Sequence, residues 1–404
     1  MRNVYYIIMC SLLLAACSSD DHETAAGGTV AVAFSAMMAS TSTRAVNEIY
    51  DDATLQAKGF GVFGCHTGLY KYSDSNVRPN FMYNEHVTYV EDTPADPDAD
   101  PPISAVGHWE YNPVKYWPNG EGETNPSINT GENPHYVTYM AYAPYSDNNA
   151  TTPEGYCIPS FSLQGDLDNP WLTYRLHHDV SEQVDLLYAP TVLDQTKPAV
   201  DARLNFTFKH ALSCVGDKIT IFCSDGIKNQ ANSRVGGSVV DAKVVITGFT
   251  IKYTLTSKAR LVLWNNDADA ANWQTIWSES PICTRTVSLE EPLAVYTYSD
   301  DSHNPYVING KGVFYIPLEL EGYPQTAELS ITYCVATTTN GSTWTYETEN
   351  TGTASLTLHD YTAAYQSGKH LYLNITLNQM SIAFKAAIAP WEEVTPVDVE
   401  GEEE

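Results

Sequence analysis

The chain has 404 residues, with 49 Asp and Glu against 21 Lys and Arg, for a formal net charge of −28. A surface this negative repels nucleic acid and anionic lipid, which excludes both as partners, and it favours solubility at an exposed cell surface. The length suffices for two domains with a full core each, and 27 Tyr, 8 Trp and abundant Thr and Val favour strands over helices.

The chain opens with "MRNVYYIIMCSLLLAACSSDDHE". Arg2 supplies a positive start and an apolar run follows from Val4 to Ala16, too short for a permanent membrane span and suited to an export signal. Small residues before Cys17 resemble the lipobox of a bacterial lipoprotein, with cleavage before Cys17 and acylation of its thiol. The acidic "SSDDHE" after it resembles the signal that directs Bacteroides-type lipoproteins to the outer face of the outer membrane. Next comes "GGTVAVAFSAMMASTSTRAVNE", residues 27–48. Val30, Val32, Phe34, Ala36 and Met38 alternate with Thr29, Ala31, Ala33, Ser35 and Met37, the period of a strand with one buried face. A flexible Ser/Thr run then carries Arg44, the first basic residue since Arg2.

Strand-like alternation recurs along the rest of the chain, and no segment shows a sustained helical period. "HWEYNPVKYWPNG" (108–120) gathers Trp109, Tyr111, Tyr116 and Trp117. Such aromatics serve either as a sugar-stacking platform or, more commonly, as the cap of a sandwich core. The Pro- and Asp-rich stretch 91–107 reads as a solvated loop, since it lacks the glycine turn and terminal Glu that a calcium loop needs. "YVTYMAYAPY" (136–145) sets Val137, Tyr139 and Ala141 against Thr138, Met140 and Tyr142. "TKPAVD" reads as a linker, placing one domain over 45–200 and a second over 201–391, before an acidic tail at 392–404.

In the second half, "ARLNFTFKHAL" (202–212) puts Leu204, Phe206, Phe208 and Leu212 on one face. Phe249, Ile251, Tyr253 and Leu255 share another, and "AELSITYCVA" (327–336) repeats the pattern. "LYLNITL" (371–377) and "IAFKAAI" (382–388), joined by "NQMS", read as an antiparallel hairpin ending near Trp391. Ile382, Phe384, Ala386 and Ile388 form one side of its second strand. Strands at this spacing, separated by Gly, Pro and Asn clusters, argue for all-β sandwiches rather than βαβ units.

Catalytic signatures are missing from the sequence: no GxSxG elbow, no HExxH and no phosphate-cradling glycine loop. His177 and His178 are neighbours, which on an extended chain face opposite ways, and His210 falls on an inward face as a core histidine would. Apart from Cys10 and Cys17, six cysteines remain, enough for 15 disulfide pairings, or for free buried thiols in a core that needs no staple. They are widely spaced with no CxxC, so neither a zinc site nor any cofactor is expected, and the chain reads as a non-enzyme.

A lipobox, an apolar strand followed by "TRA", then "WEYNPVKYWP", "VTYMAYAP", "DLLYAP", "LNFTFKHALS" and a terminal hairpin occur here in that order. Together they resemble the fimbrillin family, in particular the Mfa-like and FimA-like type V pilins of the Bacteroidales, over nearly the whole mature chain. The resemblance implies two transthyretin-like antiparallel β-sandwich domains in tandem and a precursor exported as an outer-membrane lipoprotein. It also implies cleavage after an arginine, here at Arg44–Ala45, which frees a lipid-bearing segment 17–44 with its strand 28–39. An extended strand of another subunit then fills the vacated groove, and Ile382, Phe384, Ala386 and Ile388 are the matching candidate donor. Expected partners are other pilin subunits, the outer membrane through Cys17, and host or bacterial surface ligands. The alternatives are an anchor that keeps its lipid, or a monomeric surface lipoprotein holding glycans on Trp109 and Trp117.

Overall fold

The computed structural model describes residues 30–39, 51–72, 79–93, 106–118, 135–147, 171–177, 179–198, 202–264, 270–276, 282–289, 291–300, 305–310, 312–361, 365–378 and 381–390. In chain order, the first half comprises β1 (Ala33–Met38), α1 (Asp52–Lys58), β2 (Phe60–Gly68), β3 (Met82–Thr93), β4 (Val106–Glu110) and β5 (Tyr136–Ala143). It continues with β6 (Trp171–Arg175), β7 (Leu187–Tyr188), β8 (Val192–Gln195) and β9 (Arg203–His210). The second half begins with β10 (Ser213–Cys223), α2 (Asp225–Asn232), β11 (Asp241–Thr256), β12 (Lys258–Val262), β13 (Asn272–Gln274) and β14 (Ile282–Ser288). There follow β15 (Leu293–Thr297), β16 (Tyr306–Asn309), β17 (Val313–Tyr315), β18 (Thr326–Thr338), β19 (Trp344–Tyr346), β20 (Asn350–Thr357), β21 (Lys369–Leu377) and β22 (Ile382–Pro390).

The all-β reading holds, with two short helices that the sequence pattern did not reveal. At α1, Asp51 caps the helix by accepting from the Thr54 backbone N–H at 2.7 Å. A helix of seven residues carrying one buried apolar side chain, Leu55, is too short to display a 3.6-residue period.

An eight-stranded sheet of order β1-β9-β7-β5-β2-β3-β4, with β8 against β5, builds the first half. Its two ends approach each other, since β1 also contacts β4 and the segment after it. One core lies inside this curl, holding Phe34, Phe60, Val62, Tyr139, Phe206 and Phe208. The second half is a sandwich of a sheet β16-β10-β21-β22 and a sheet β14-β11-β18-β19. Between them lie the alternating residues of β11 and β18, Phe249, Ile251, Tyr253 and Leu255 against Leu329, Ile331, Tyr333 and Val335. Most ladders are antiparallel, but β1 pairs with β9 and β10 with β21 in parallel. Parallel neighbours need long connections, which the many residues between each pair provide.

The two halves share more than a linker. Strand β9, which follows the "TKPAVD" linker and was assigned by sequence to the second domain, is hydrogen-bonded between β1 and β7 in the first sheet. The chain leaves that sheet only after His210: Leu204, Phe206 and Phe208 lie in the first core, whereas Leu212 lies in a different cluster. That cluster is a third core, joining Phe63, Met140 and Tyr142 of the first half to Leu261, Phe314 and Ile316 of the second. A three-stranded sheet β13-β12-β6 crosses the boundary, pairing β6 with β12 from Lys258↔Arg175 to Val262↔Trp171. Strands β2 and β5 are therefore buried on both faces, one face in each core.

Cys65, Cys214 and Cys334 are buried free thiols, and Cys223 is buried as well. Of the other sequence-based expectations, Cys17, Arg44, Ala45, most of the acidic loop, Trp391 and the tail lie outside the described residues.

Candidate functional site

The first strand is held on both sides. Residues Ala33 to Met38 run parallel to β9, in register from Ala33↔Arg203 to Met38↔Phe208. Just before, the chain pairs antiparallel with the segment after β4: the Val32 N–H donates to Lys115 O and the Trp117 N–H to Val30 O, each at 2.9 Å. Two side chains fasten it further. The Tyr111 hydroxyl donates to Val32 O at 2.9 Å, and the Met38 N–H donates to the Asp52 carboxylate of α1 at 2.7 Å. Burial around Tyr111 pushes its phenol up to about 12.

The inward face of this strand plugs the first core. Val32, Phe34 and Met38 are buried, and Val30 and Ala36 pack half-buried beside them. The opposite face is open, with Met37 57% exposed. Phe34 is the centre of the plug: its ring meets Tyr111 at 5.4 Å, Phe206 at 5.6 Å, Tyr139 at 6.0 Å and Phe60 at 6.4 Å between centroids. The five residues singled out from sequence are thus together on one face. The sequence did not signal their holders, Tyr111, the 115–117 segment and Asp52, because each reaches the strand from a different part of the chain.

The candidate donor lies elsewhere, in the second half. Strand β22 pairs antiparallel with β21 over nine residues, from Lys369↔Pro390 to Leu377↔Ile382. It is the last strand of its sheet. Phe384 is buried, Ile382 and Ala386 are half-buried, and Ile388 is 37% exposed. On its outer side, the Ala386 N–H donates to the Tyr361 hydroxyl at 3.0 Å. Phe384 sits opposite Ile375 in the ladder and is buried in the sandwich core, with Ile382 and Ala386 packed against that core beside it.

The aromatic group 109–117 faces inward. Trp117 and Tyr111 are buried, and the Trp109 ring packs edge-on against Phe60 at 4.9 Å and Tyr89 at 5.3 Å. Only Tyr116 is well exposed. His210 is buried with its Nδ1 2.5 Å from an Asp185 carboxylate oxygen, a paired core histidine.

No family model matches the sequence. The chain is 22% identical over 373 residues to the fimbrium subunit Fim1C of Phocaeicola vulgatus, a match that covers 86% of each protein. Its fold matches the crystal structure of a fimbrial protein from Bacteroides vulgatus with a TM-score of 0.61 at 19% identity, over 90% of this chain and 99% of that one. Both similarities run over most of the chain and agree with the fimbrillin resemblance carried by its motifs. The plugged first core is the feature most unlike an ordinary finished domain. Its central aromatic, Phe34, comes from a strand joined to the domain body through a single connection, residues 40–50. Apart from Val30, Val32, Ala36 and Met38 of the same strand, everything else in that core lies downstream of this connection.

Proposed function

We propose that this protein is a structural and adhesive subunit of a cell-surface fimbria, assembled by removing its first strand and accepting one from another subunit. The observation that carries the reading is the position of Phe34 at the centre of the first core, on a strand that a single cut after Arg44 would detach. Losing the strand would leave an apolar groove flanked by unpaired backbone of β9 and of residues 115–117. Such a groove is costly to leave open, and an incoming strand restores both the ladder and the pocket contacts. Because donor and acceptor surfaces differ, the contact repeats into a filament rather than closing.

Strand β22 is the donor in this proposal. Aligned on phenylalanine, Val32, Phe34, Ala36 and Met38 correspond to Ile382, Phe384, Ala386 and Ile388: a β-branched residue, an aromatic, an alanine and a long aliphatic at the same two-residue steps. Release of β22 from β21 precedes donation. The precursor reaches the outer membrane as a lipoprotein acylated on Cys17, and the mature subunit binds other pilins along the fimbria and surface ligands at its exposed positions. No catalytic step is assigned to it. The nine-residue pairing of β22 within its own sheet favours a second reading, an anchor or tip subunit that donates no strand. Glycan binding on Trp109 and Trp117 is disfavoured, since Trp117 is buried and the Trp109 ring packs against Phe60 and Tyr89.

The test is the N-terminus of the protein recovered from the cell surface, by intact mass and terminal-peptide analysis. A chain beginning at Ala45 supports strand removal. A lipidated chain beginning at Cys17, in assembled fimbriae, leaves the groove filled and refutes exchange at this site.

A further inference from the structure

We propose that Cys214, Asp217 and His370 form a binding site for one divalent transition-metal ion of the zinc class, at the seam between the two halves. The parallel ladder of β10 and β21 pairs Cys214 directly with His370, so the two project to the same face. That face is turned to the core shared by both halves, which includes Cys214, while the adjacent Val215 and Leu371 point into the second-half sandwich. Immediately beyond, the ladder breaks between Val215 and Ile219, with Gly216 at φ +77°. The break swings Asp217 over its neighbour, and His370 Nδ1 lies 2.8 Å from an Asp217 carboxylate oxygen.

One ligand atom from each of the three residues lies within 4.8 Å of the others. Tetrahedral zinc with bonds of about 2.0–2.3 Å sets ligand atoms about 3.3–3.8 Å apart, so small side-chain rotations close the site. Two features point to a ligand. The second Asp217 carboxylate oxygen is buried and has no hydrogen-bond partner, an arrangement proteins rarely leave unused. Beside it Gly312 keeps the space clear: a Cβ there would lie 2.2 Å from Cys214 Sγ and 2.8 Å from Asp217 Cβ.

The donors, one sulfur, one imidazole nitrogen and one carboxylate oxygen, suit zinc and exclude calcium or magnesium, which take oxygen ligands. Three protein ligands leave the fourth position to a water molecule. Cys214 and His370 are buried, and Asp217, with its side chain 14% exposed, is the ligand nearest solvent and marks the entry. Binding displaces one proton: the dication takes up thiolate, neutral imidazole and carboxylate, and the thiol proton leaves to solvent. The ion would pin the seam and stiffen the subunit. Among the described residues no other group of three such ligand atoms comes together.

The experiment titrates the exported chain, carrying Cys17→Ser and stripped with chelator, with Co²⁺ as a spectroscopic probe and then with Zn²⁺. Expected are one equivalent of Co²⁺, a thiolate-to-cobalt charge-transfer band with the visible bands of four-coordinate cobalt, and displacement of both by Zn²⁺. At a hundredfold excess over Kd, Zn²⁺ raises the thermal midpoint by roughly 3 °C. Cys214→Ser removes the charge-transfer band, and Cys223→Ser leaves it intact. Asp217→Asn, which preserves shape, and His370→Gln each weaken binding at least tenfold, the range for lost metal-site contacts. No stoichiometric band, a band that survives Cys214→Ser, or unchanged affinity in folded Asp217→Asn each overturns the site.

Discussion

Replacing Phe34 by alanine removes the one side chain on which the first core converges. Its ring is 1% exposed and touches four other aromatic rings, of which Phe60, Tyr139 and Phe206 are themselves fully buried. Those three are anchored on β2, β5 and β9, strands hydrogen-bonded on both sides, so the cavity cannot collapse by moving any one of them. Phe-to-Ala changes in such sites cost about 3–5 kcal/mol, and the rigid surroundings place this one toward the upper end. Met37→Ala is the control, because Met37 sits on the same strand but is mostly exposed, and surface changes stay within about 0.5 kcal/mol. The assay is equilibrium urea unfolding of the uncleaved chain, followed by tyrosine and tryptophan fluorescence. Phe34→Ala should lower the transition midpoint strongly while Met37→Ala leaves it in place. A loss under about 1 kcal/mol for Phe34→Ala would mean that the strand is not seated in the core in solution, and strand exchange at this groove would lose its physical basis.

Three further outcomes follow from the same geometry. Phe384→Asp should abolish polymerisation while leaving a folded monomer, since β22 is an edge strand with one large buried side chain; normal polymers on a sizing column would remove it as donor. Asp185→Ala leaves the buried His210 without its carboxylate and should cost about 1–3 kcal/mol, read by thermal unfolding. Stability should decline as pH rises above about 10, because Tyr111 holds its proton up to about 12 in the folded chain while an unfolded tyrosine loses it near 10. The folded state then binds more protons than the unfolded one, which makes the slope negative, and Tyr111→Phe should make it shallower by the share of that one group, the other buried tyrosines keeping the rest, in alkaline denaturation curves.

Much of the fold was legible because strand periodicity is local. The inward sets on β1, β9, β11, β18 and β21 match the buried residues, since alternation needs only neighbours on the chain. The terminal hairpin was legible for the same reason, its short turn bringing two alternating strands together. The helix α1 was not, because seven residues cannot display a period. Nor was the membership of β9 in the first sheet: a Pro-containing linker marks a flexible stretch, but it does not say which edge the next strand will pair with. The aromatic cluster at 109–117 left two readings open until Trp109 and Trp117 were seen against Phe60 and Tyr139.

The sequence by itself determined that this is an acidic, all-β chain, and which face of each major strand is apolar, because composition and period-two alternation are written residue by residue. Tertiary structure alone decided that β1 lies parallel to β9 with Phe34 at the centre of four rings, and that a third core with its own sheet joins the two halves. It alone brought Cys214, Asp217 and His370 within reach of one another. Each of these depends on contacts between residues far apart in the chain, where no local rule of spacing operates and only the closing of the sheets selects a partner.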